Sequence, residues 1–175
     1  MTLYDDIYEI AADNHGLITT SQVIALSGAH KDLHRFVNDG RLTHIGHGVY
    51  RIKHHTLEPN DIYAECVVLV GAEAYLYGES VIAMHELIPT NPTRIYVATP
   101  KRVRKKLPAI INLVKGDPAE VLTSFEGIPA QRIPAAIRSC KSTIMPERLR
   151  AAVEKARIQG LIFAEDENIL LEELG

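Results

Sequence analysis

The sequence predicts an α+β protein in which a winged helix-turn-helix, residues 1–57, precedes a small mixed α/β domain, residues 58–175. Three observations support this fold class. Two short helical patterns are joined by a glycine-containing turn at 27–29. Two runs of alternating apolar and polar residues follow them and fit a β-hairpin. Beyond residue 60, β-prone runs and helical patterns occur together. The order of these elements carries the prediction, because none of them is distinctive alone.

Three helices are predicted in the first forty residues. The first has apolar residues at helical spacing, namely Leu3, Ile7, Ile10 and Ala11. The second begins at Thr19, which has Gln22 three residues later and therefore fits a capping box. The third buries apolar residues at i, i+3 and i+4, namely Leu33, Phe36 and Val37, and Gly40 closes it.

A hairpin is predicted next, because residues 42–45 and 49–52 alternate around a glycine-rich turn. Polar residues 54–60 read as a linker into the second domain. Helices are predicted there at 61–70, 78–87 and 146–158, and short strands at 95–98, 110–114 and 121–125. Residues 165–173 read as an acidic terminal segment with Leu170 and its apolar neighbours available for docking.

Charge is segregated along the chain, although the net value is only -3. Residues 30–55 carry five Lys or Arg against two acids, together with six histidines. Residues 94–115 carry seven Lys or Arg and no acid, whereas 161–175 carry five acids and no base. A mildly acidic protein can therefore present two cationic surfaces that would suit nucleic acid.

The third helix is the predicted reading helix for DNA, because the recognition helix of this architecture enters the major groove. Its outer positions are His30, Lys31, His34, Arg35 and Asn38. Arg35 is the candidate for a bidentate contact with guanine and Asn38 for a contact with adenine. The alternative is an ordinary solvated helix face.

Other candidate DNA contacts lie around this helix. At the wing, His47 would approach a minor groove or a phosphate, with Arg41, Arg51 and Lys53 near the backbone. Thr19 and Thr20 would hold a phosphate at the start of the second helix, unless Thr19 serves only as its cap.

A second basic patch is predicted in the other domain, formed by Lys101, Arg102, Arg104, Lys105 and Lys106. It would bind phosphate, either on DNA beside the wing or on another nucleic acid such as RNA. The alternative is a solvated loop between two strands that has no binding role.

Several other classes of function find no support in the sequence. A zinc site from His44, His47, His54 and His55 is not expected, because the pattern is irregular and neither cysteine is close. Cys66 and Cys140 are predicted to be buried thiols. No cofactor is expected, and no nucleophile elbow, phosphate-cradling loop or nuclease motif indicates an enzyme.

The absence of a long apolar run or a basic leader predicts a cytoplasmic protein without membrane contact.

Two stretches resemble the AbiEi family of antitoxins. The first comprises NHGLITTSQ at 14–22, GRL at 40–42 and GHGVYRI at 46–52. The second comprises YGESVIAMHEL at 77–87, IYVATPKRVRK at 95–105 and EGIPAQRIPAAI at 126–137. The chain departs from the family at Ala29, where a hydroxyl cap followed by arginines is frequent, and at residues 134–140.

The resemblance implies a type IV antitoxin that represses its own operon at inverted repeats in double-stranded DNA. It also implies that the protein counters a nucleotidyltransferase-like toxin without a stable complex. The alternatives are a stand-alone regulator whose second domain binds a ligand or a protein, and a nucleic-acid-processing enzyme with an unrecognised site.

Overall fold

The computed structural model describes residues 1–175, which divide into two compact units. We call Met1–Leu69 the wing unit and Val70–Gly175 the sheet unit. The predicted α+β class, with a winged helix-turn-helix preceding a mixed α/β unit, is confirmed. No helix combines the length and apolar character that crossing a membrane requires.

The wing unit contains a helix-turn-helix followed by a hairpin, as predicted. Its elements are α1 (Leu3–Ala12), β1 (Leu17–Thr19), α2 (Thr20–Ala25), α3 (His30–Asn38), β2 (Leu42–Gly46), β3 (Val49–Ile52) and α4 (Asp61–Val70). The strands form an antiparallel sheet in the order β1-β3-β2. The sequence pattern does not predict strand β1, because it has three residues and lies directly before the first turn of α2.

A single apolar cluster holds α1, α2, α3 and the sheet of the wing unit together. Its buried members are Ile7, Ala11, Ile18, Val23, Leu33, Phe36, Leu42 and Ile52. Leu33 and Phe36 are the predicted inner positions of α3, and Val37 is half-buried against the cluster. Because these residues point inward, the remaining positions of α3 face solvent.

Gly28 allows the turn of the helix-turn-helix to pack closely against Val23 of α2. A Cβ at this position would lie 2.7 Å from Cγ1 of Val23 and 2.9 Å from the backbone oxygen of the same residue. The amide of Gly28 also donates to that oxygen, at 2.9 Å. A side chain here would therefore push α2 and α3 apart, which explains why the turn contains glycine.

Helix α4 belongs to the wing unit, apart from its last residue. The predicted boundary after residue 57 lies one helix earlier than this division. The difference has a physical reason, because α4 packs on the hairpin: a Cβ at Gly46 would collide with Leu69, and Arg51 of β3 pairs with Glu65 of α4. Residues 53–60 thus connect parts of one unit.

The sheet unit surrounds a mixed five-stranded sheet in the order β6-β5-β4-β8-β7. Its elements are β4 (Tyr75–Leu76), α5 (Glu79–Met84), β5 (Ile95–Thr99), β6 (Ile111–Lys115), β7 (Leu122–Phe125), β8 (Ile128–Gln131), α6 (Ile133–Ser139), α7 (Pro146–Ile158) and α8 (Ala164–Leu174). Strands β5 and β6 are parallel, as are β4 and β8, and the other neighbours are antiparallel.

The acidic segment near residue 170 is the helix α8, which packs against α7. Leu170 is fully buried, and three acids stand in the first turn, where the helix dipole favours negative charge. Arg138 of α6 donates to Glu173 at 2.9 Å. The sequence pattern identifies the apolar residues but not the helix, because an acidic stretch without basic partners resembles a solvated tail.

Both cysteines are buried, as predicted. Burial raises the pKa of the Cys66 thiol to about 12 and that of Cys140 to about 11. At neutral pH both sulfurs are therefore protonated and poorly reactive, because the thiolate is the nucleophilic form.

Candidate nucleic-acid interface

The outer face of α3 is open to solvent along its whole length. Leu33 and Phe36 are buried beneath it. The five predicted reading residues are all exposed, namely His30, Lys31, His34, Arg35 and Asn38. We call this set the α3 face. Helix α3 begins after Ala29, which has no side-chain hydroxyl to cap it; the amide of Ala29 donates to the Asp32 carboxylate at 2.9 Å, which is the other half of a capping box.

Arg35 is the most prominent cation of the α3 face. Its side chain is 59% exposed, and its guanidinium lies 4.9 Å from the centre of the Phe36 ring. One nitrogen lies 3.2 Å from the Asp32 carboxylate. An exposed ion pair of this kind stabilises a protein by less than about 1 kcal/mol, so it would not prevent Arg35 from binding another acceptor.

Arg41 and Lys53 bring two further cations to the end of this face. The backbone amide of Lys53 donates to the carbonyl of Arg41 at 3.0 Å, which places the two residues side by side. Both are exposed. The guanidinium of Arg41 lies 5.0 Å from the centre of the Tyr4 ring, on the side of α1. Together with the α3 face they extend the positive surface.

His47 lies at the tip of the wing. Strands β2 and β3 are joined by a two-residue turn of His47 and Gly48, in which Gly48 has a φ of +68° that suits glycine. His47 is exposed. The imidazole is therefore placed where a wing can reach a groove or a phosphate.

Arg51 is withdrawn from the interface that the sequence predicts. Its side chain is only 15% exposed and pairs with Glu65 of α4 at 2.9 Å. Its Nε is buried without a hydrogen-bond partner. Because Arg51 has a protein partner in this structure, we leave it out of the proposed DNA surface.

Thr19 and Thr20 make local contacts at the start of α2. The hydroxyl of Thr19 accepts from the amide of Gln22 at 3.2 Å, and its own amide donates to the Gln22 side chain at 2.9 Å. The amide of Thr20 donates to the carbonyl of Gly48 at 2.9 Å. The capping role accounts for the contacts of Thr19, and we leave both residues out of the proposed DNA surface.

Residues 5–53, which include the helix-turn-helix and the wing, match the family model described as "Transcriptional regulator, AbiEi antitoxin". The match confirms the resemblance of this segment to AbiEi antitoxins. The second resembling stretch, residues 77–137, lies outside the matched residues.

The comparison with solved structures found the crystal structure of the RV2827C protein from Mycobacterium tuberculosis. It shares 14% identity and a TM-score of 0.44 with this chain, over 95% of this chain and 79% of that one. No curated protein sequence matches the chain.

Directly after the AbiEi-matching segment, a buried carboxylate joins α4 to the rest of the wing unit. Asp61 is 3% exposed. Its oxygens lie 2.7 Å from Nδ1 of His15 and 2.6 Å from Nε2 of His55, and it also accepts from the amide of Glu58 at 2.8 Å. We call Asp61, His15 and His55 the carboxylate cluster.

The protonation of Asp61 follows from these contacts. Burial alone would raise the pKa of this carboxyl, but the backbone hydrogen bond from Glu58 and those from His55 and His15 outweigh it, and the pKa is lowered. Asp61 is therefore ionised at neutral pH. The sequence contains a weak signal for this cluster, because an acid at a helix start follows two adjacent histidines.

The histidine-rich region does not assemble into a metal centre. No group of three or more His, Cys, Asp or Glu side chains is arranged to hold a metal ion. His55 belongs to the carboxylate cluster, whereas His44 stacks on Tyr50 with ring centres 5.0 Å apart. His47 and His54 are exposed.

The second predicted basic patch lies in the sheet unit, on the connection between the parallel strands β5 and β6. We call residues 101–106 the basic loop. Four of its five cations are exposed and Lys105 is half-buried. Lys101 pairs with Glu73 at 3.3 Å, but both side chains are exposed, so the pair contributes little. The loop therefore presents a concentrated positive charge to solvent.

Proposed function

We propose that this protein is a DNA-binding autorepressor and the antitoxin of a type IV toxin-antitoxin pair. The observation that carries the DNA-binding part is the α3 face. Its five polar residues are exposed while Leu33 and Phe36 of the same helix are buried. The family match over residues 5–53, described as a transcriptional regulator and antitoxin, supports the same conclusion.

In the proposed complex, α3 enters the major groove and its polar side chains contact base edges. Arg35 has the planar donor pair that fits O6 and N7 of guanine, and Asn38 has the donor and acceptor that fit adenine. His30, Lys31 and His34 contact base edges or phosphates. Arg41 and Lys53 hold the backbone, and His47 reaches a phosphate or the minor groove from the wing.

The operator and the toxin are parts of the same proposal. The protein binds inverted repeats in its own promoter, and an adjacent reading frame encodes a nucleotidyltransferase-like toxin that it counters without a stable complex. The sheet unit and its basic loop carry the antitoxic role. An upstream or downstream toxin gene of this type supports the proposal, and its absence favours a stand-alone regulator.

The DNA-binding part is tested by titrating the full chain against its own upstream region and against an unrelated duplex of equal length, at two salt concentrations. We expect tighter binding to the upstream region and weaker binding at the higher salt, because counterions are released from each contacted phosphate. Equal affinity for both duplexes would contradict sequence-specific regulation.

Arg35→Ala tests the reading role within that experiment. We expect a loss of about 1–3 kcal/mol in promoter affinity and a relaxed preference at one base pair. Arg157→Ala is the matched control, because Arg157 is also a partly exposed helical arginine with an acidic partner, at 3.6 Å from Glu167. An unchanged affinity for Arg35→Ala would remove this residue from the reading face.

The antitoxin part is tested by expressing the neighbouring toxin with and without this chain. We expect growth to recover only when the chain is present, and the two proteins not to co-purify. Failure to neutralise the toxin, together with intact promoter binding, would leave a transcriptional regulator and refute the antitoxin assignment.

A further inference from the structure

The sheet unit contains an open cleft that the proposed function does not use. It lies between β7, the start of α6 and the turn from α7 to α8, and its volume is about 270 Å³. Its walls combine two phenyl rings, Phe125 and Phe163, with two ionisable side chains, Arg132 and Asp166. This volume is near the lower end of the range for small-molecule sites, so only a compact ligand would fit.

Arg132 supplies the positive charge of the cleft. It is exposed, and it takes part in none of the ion pairs formed by the arginines of the sheet unit, which involve Arg138 and Arg157. Its guanidinium is thus available to an external acceptor. A planar guanidinium binds a carboxylate through two parallel hydrogen bonds, which makes this anion its best-matched small partner.

Two other ionisable groups line the cleft. The Asp166 carboxylate accepts from the amide of Phe163 at 3.4 Å, and it lies close enough to Arg138 to act on that residue's pKa. The imidazole of His85 is half-buried, and burial lowers its pKa despite the opposing charge of Glu126, so the ring is neutral at pH 7. Arg132 is therefore the one cation of the lining, and it has no ion-pair partner.

The cleft also has aromatic surface. Phe163 is 79% exposed, so its ring is accessible to a ligand. Phe125 lies edge-on to His85 with ring centres 4.5 Å apart, so its position is fixed by that contact. Two phenyl groups at one cleft favour a planar aromatic ligand, because stacked or edge-on rings add to the gain from apolar burial.

We propose that this cleft binds a small planar aromatic carboxylate, with the carboxylate on Arg132 and the ring system against Phe125 and Phe163. Arg132 provides charge recognition and the phenyl rings provide selection for a flat apolar body. Such a site would give the sheet unit a ligand-binding role that is separate from DNA binding by the α3 face.

The test uses the full chain and the probe 2-naphthoate, with 2-naphthamide as a neutral probe of nearly the same shape. Calorimetry and amide chemical-shift mapping measure affinity and location. We expect saturable binding of 2-naphthoate at the cleft, with 2-naphthamide and the Arg132→Gln variant each weaker by about tenfold or more, since each removes a hydrogen bond between charged groups. Phe163→Ser should also weaken binding.

Arg94→Gln is the matched control, because Arg94 is an exposed arginine of the same unit outside both the cleft and the basic loop. Its affinity for 2-naphthoate should equal that of the parent chain. The proposal is overturned if 2-naphthoate does not saturate, if the neutral amide binds equally well, or if shifts appear away from the cleft. The amide comparison requires no variant, so a folding defect cannot obscure the result.

Discussion

Two sides of the wing unit carry similar residues but use them differently. On the α3 face, Lys31, His34 and Arg35 are exposed. On the side covered by α4, Arg51 is paired with Glu65, and His15 and His55 are both hydrogen-bonded to Asp61. Acids supplied by α4 thus bind one set of basic side chains and leave the other set exposed.

Counting the basic residues of the sequence therefore overestimates the size of the DNA-binding surface. Residues 30–55 contain eleven Lys, Arg or His side chains. Arg51 and His55 hold the wing unit together through α4, so they contribute to stability. The α3 face, Arg41, His47 and Lys53 remain as the candidate DNA surface. Substitutions on the two sides should therefore affect different measured quantities.

The largest effect is expected at the carboxylate cluster. Asp61→Ala removes the shared acceptor of two imidazoles and one amide, and leaves those donors without their partner in a buried site. Each buried group left without its hydrogen-bond partner costs about 1–3 kcal/mol of unfolding free energy, which denaturant titration would measure. Asp39→Ala, an exposed acid after α3, is the control. A loss below about 1 kcal/mol would contradict the packing of α4 onto the wing unit.

The same carboxylate predicts a dependence of stability on pH. Because the pKa of Asp61 is lowered in the folded state, its ionisation stabilises the protein above the ordinary pKa near 3.8. That contribution is lost as the pH falls from the ordinary value through the lowered folded value. In the acidic range, the unfolding free energy should therefore fall more steeply with decreasing pH in the parent chain than in Asp61→Ala. Equal slopes would show that folding does not lower the pKa of Asp61.

A smaller effect is expected at Arg51. Arg51→Ala leaves Glu65 without its partner and should lower the unfolding free energy by about 1–3 kcal/mol. Promoter affinity, measured where the variant is fully folded, should change little. Arg35→Ala should show the opposite pattern. If Arg51→Ala impairs promoter binding as much as Arg35→Ala does, the two sides of the wing unit are not functionally distinct.

Much of this arrangement can be predicted from the sequence, because it depends on local patterns. Leu33, Phe36 and Val37 fix the inner face of α3, so the outer face follows by helical geometry. The hairpin is also predictable from local sequence, because His47 and Gly48 form the turn between its two strands. Short strands such as β1 and β4 escape prediction, since two or three residues give no periodicity and owe their pairing to distant partners.

The role of Arg51 could not be predicted, because it depends on where α4 packs. Residues 54–60 are polar and contain Pro59, so they read as a linker between domains. Nothing local indicates that Glu65 returns to the hairpin, fourteen residues from Arg51. The contact of His15 with Asp61 escapes prediction for the same reason, since the two residues are forty-six positions apart.

The smallest effect is expected from the basic loop. Replacing Lys101, Arg102, Arg104, Lys105 and Lys106 with Gln should reduce the salt dependence of promoter binding if the loop touches DNA phosphate, by about one unit of log-log slope for each phosphate that is no longer neutralised. Thermal stability should be unaffected, because the loop forms only one exposed ion pair. An unchanged slope combined with failure to neutralise the toxin would assign the loop to the antitoxic role.

Reversing the charge of the α3 face tests its proposed binding to DNA. Promoter affinity is measured for the parent chain and for the double variant Lys31→Glu/Arg35→Glu, with the unfolding midpoint recorded for both. We expect specific binding to disappear while the midpoint stays unchanged, because both side chains are exposed. Promoter binding at parental affinity by the folded double variant would contradict it.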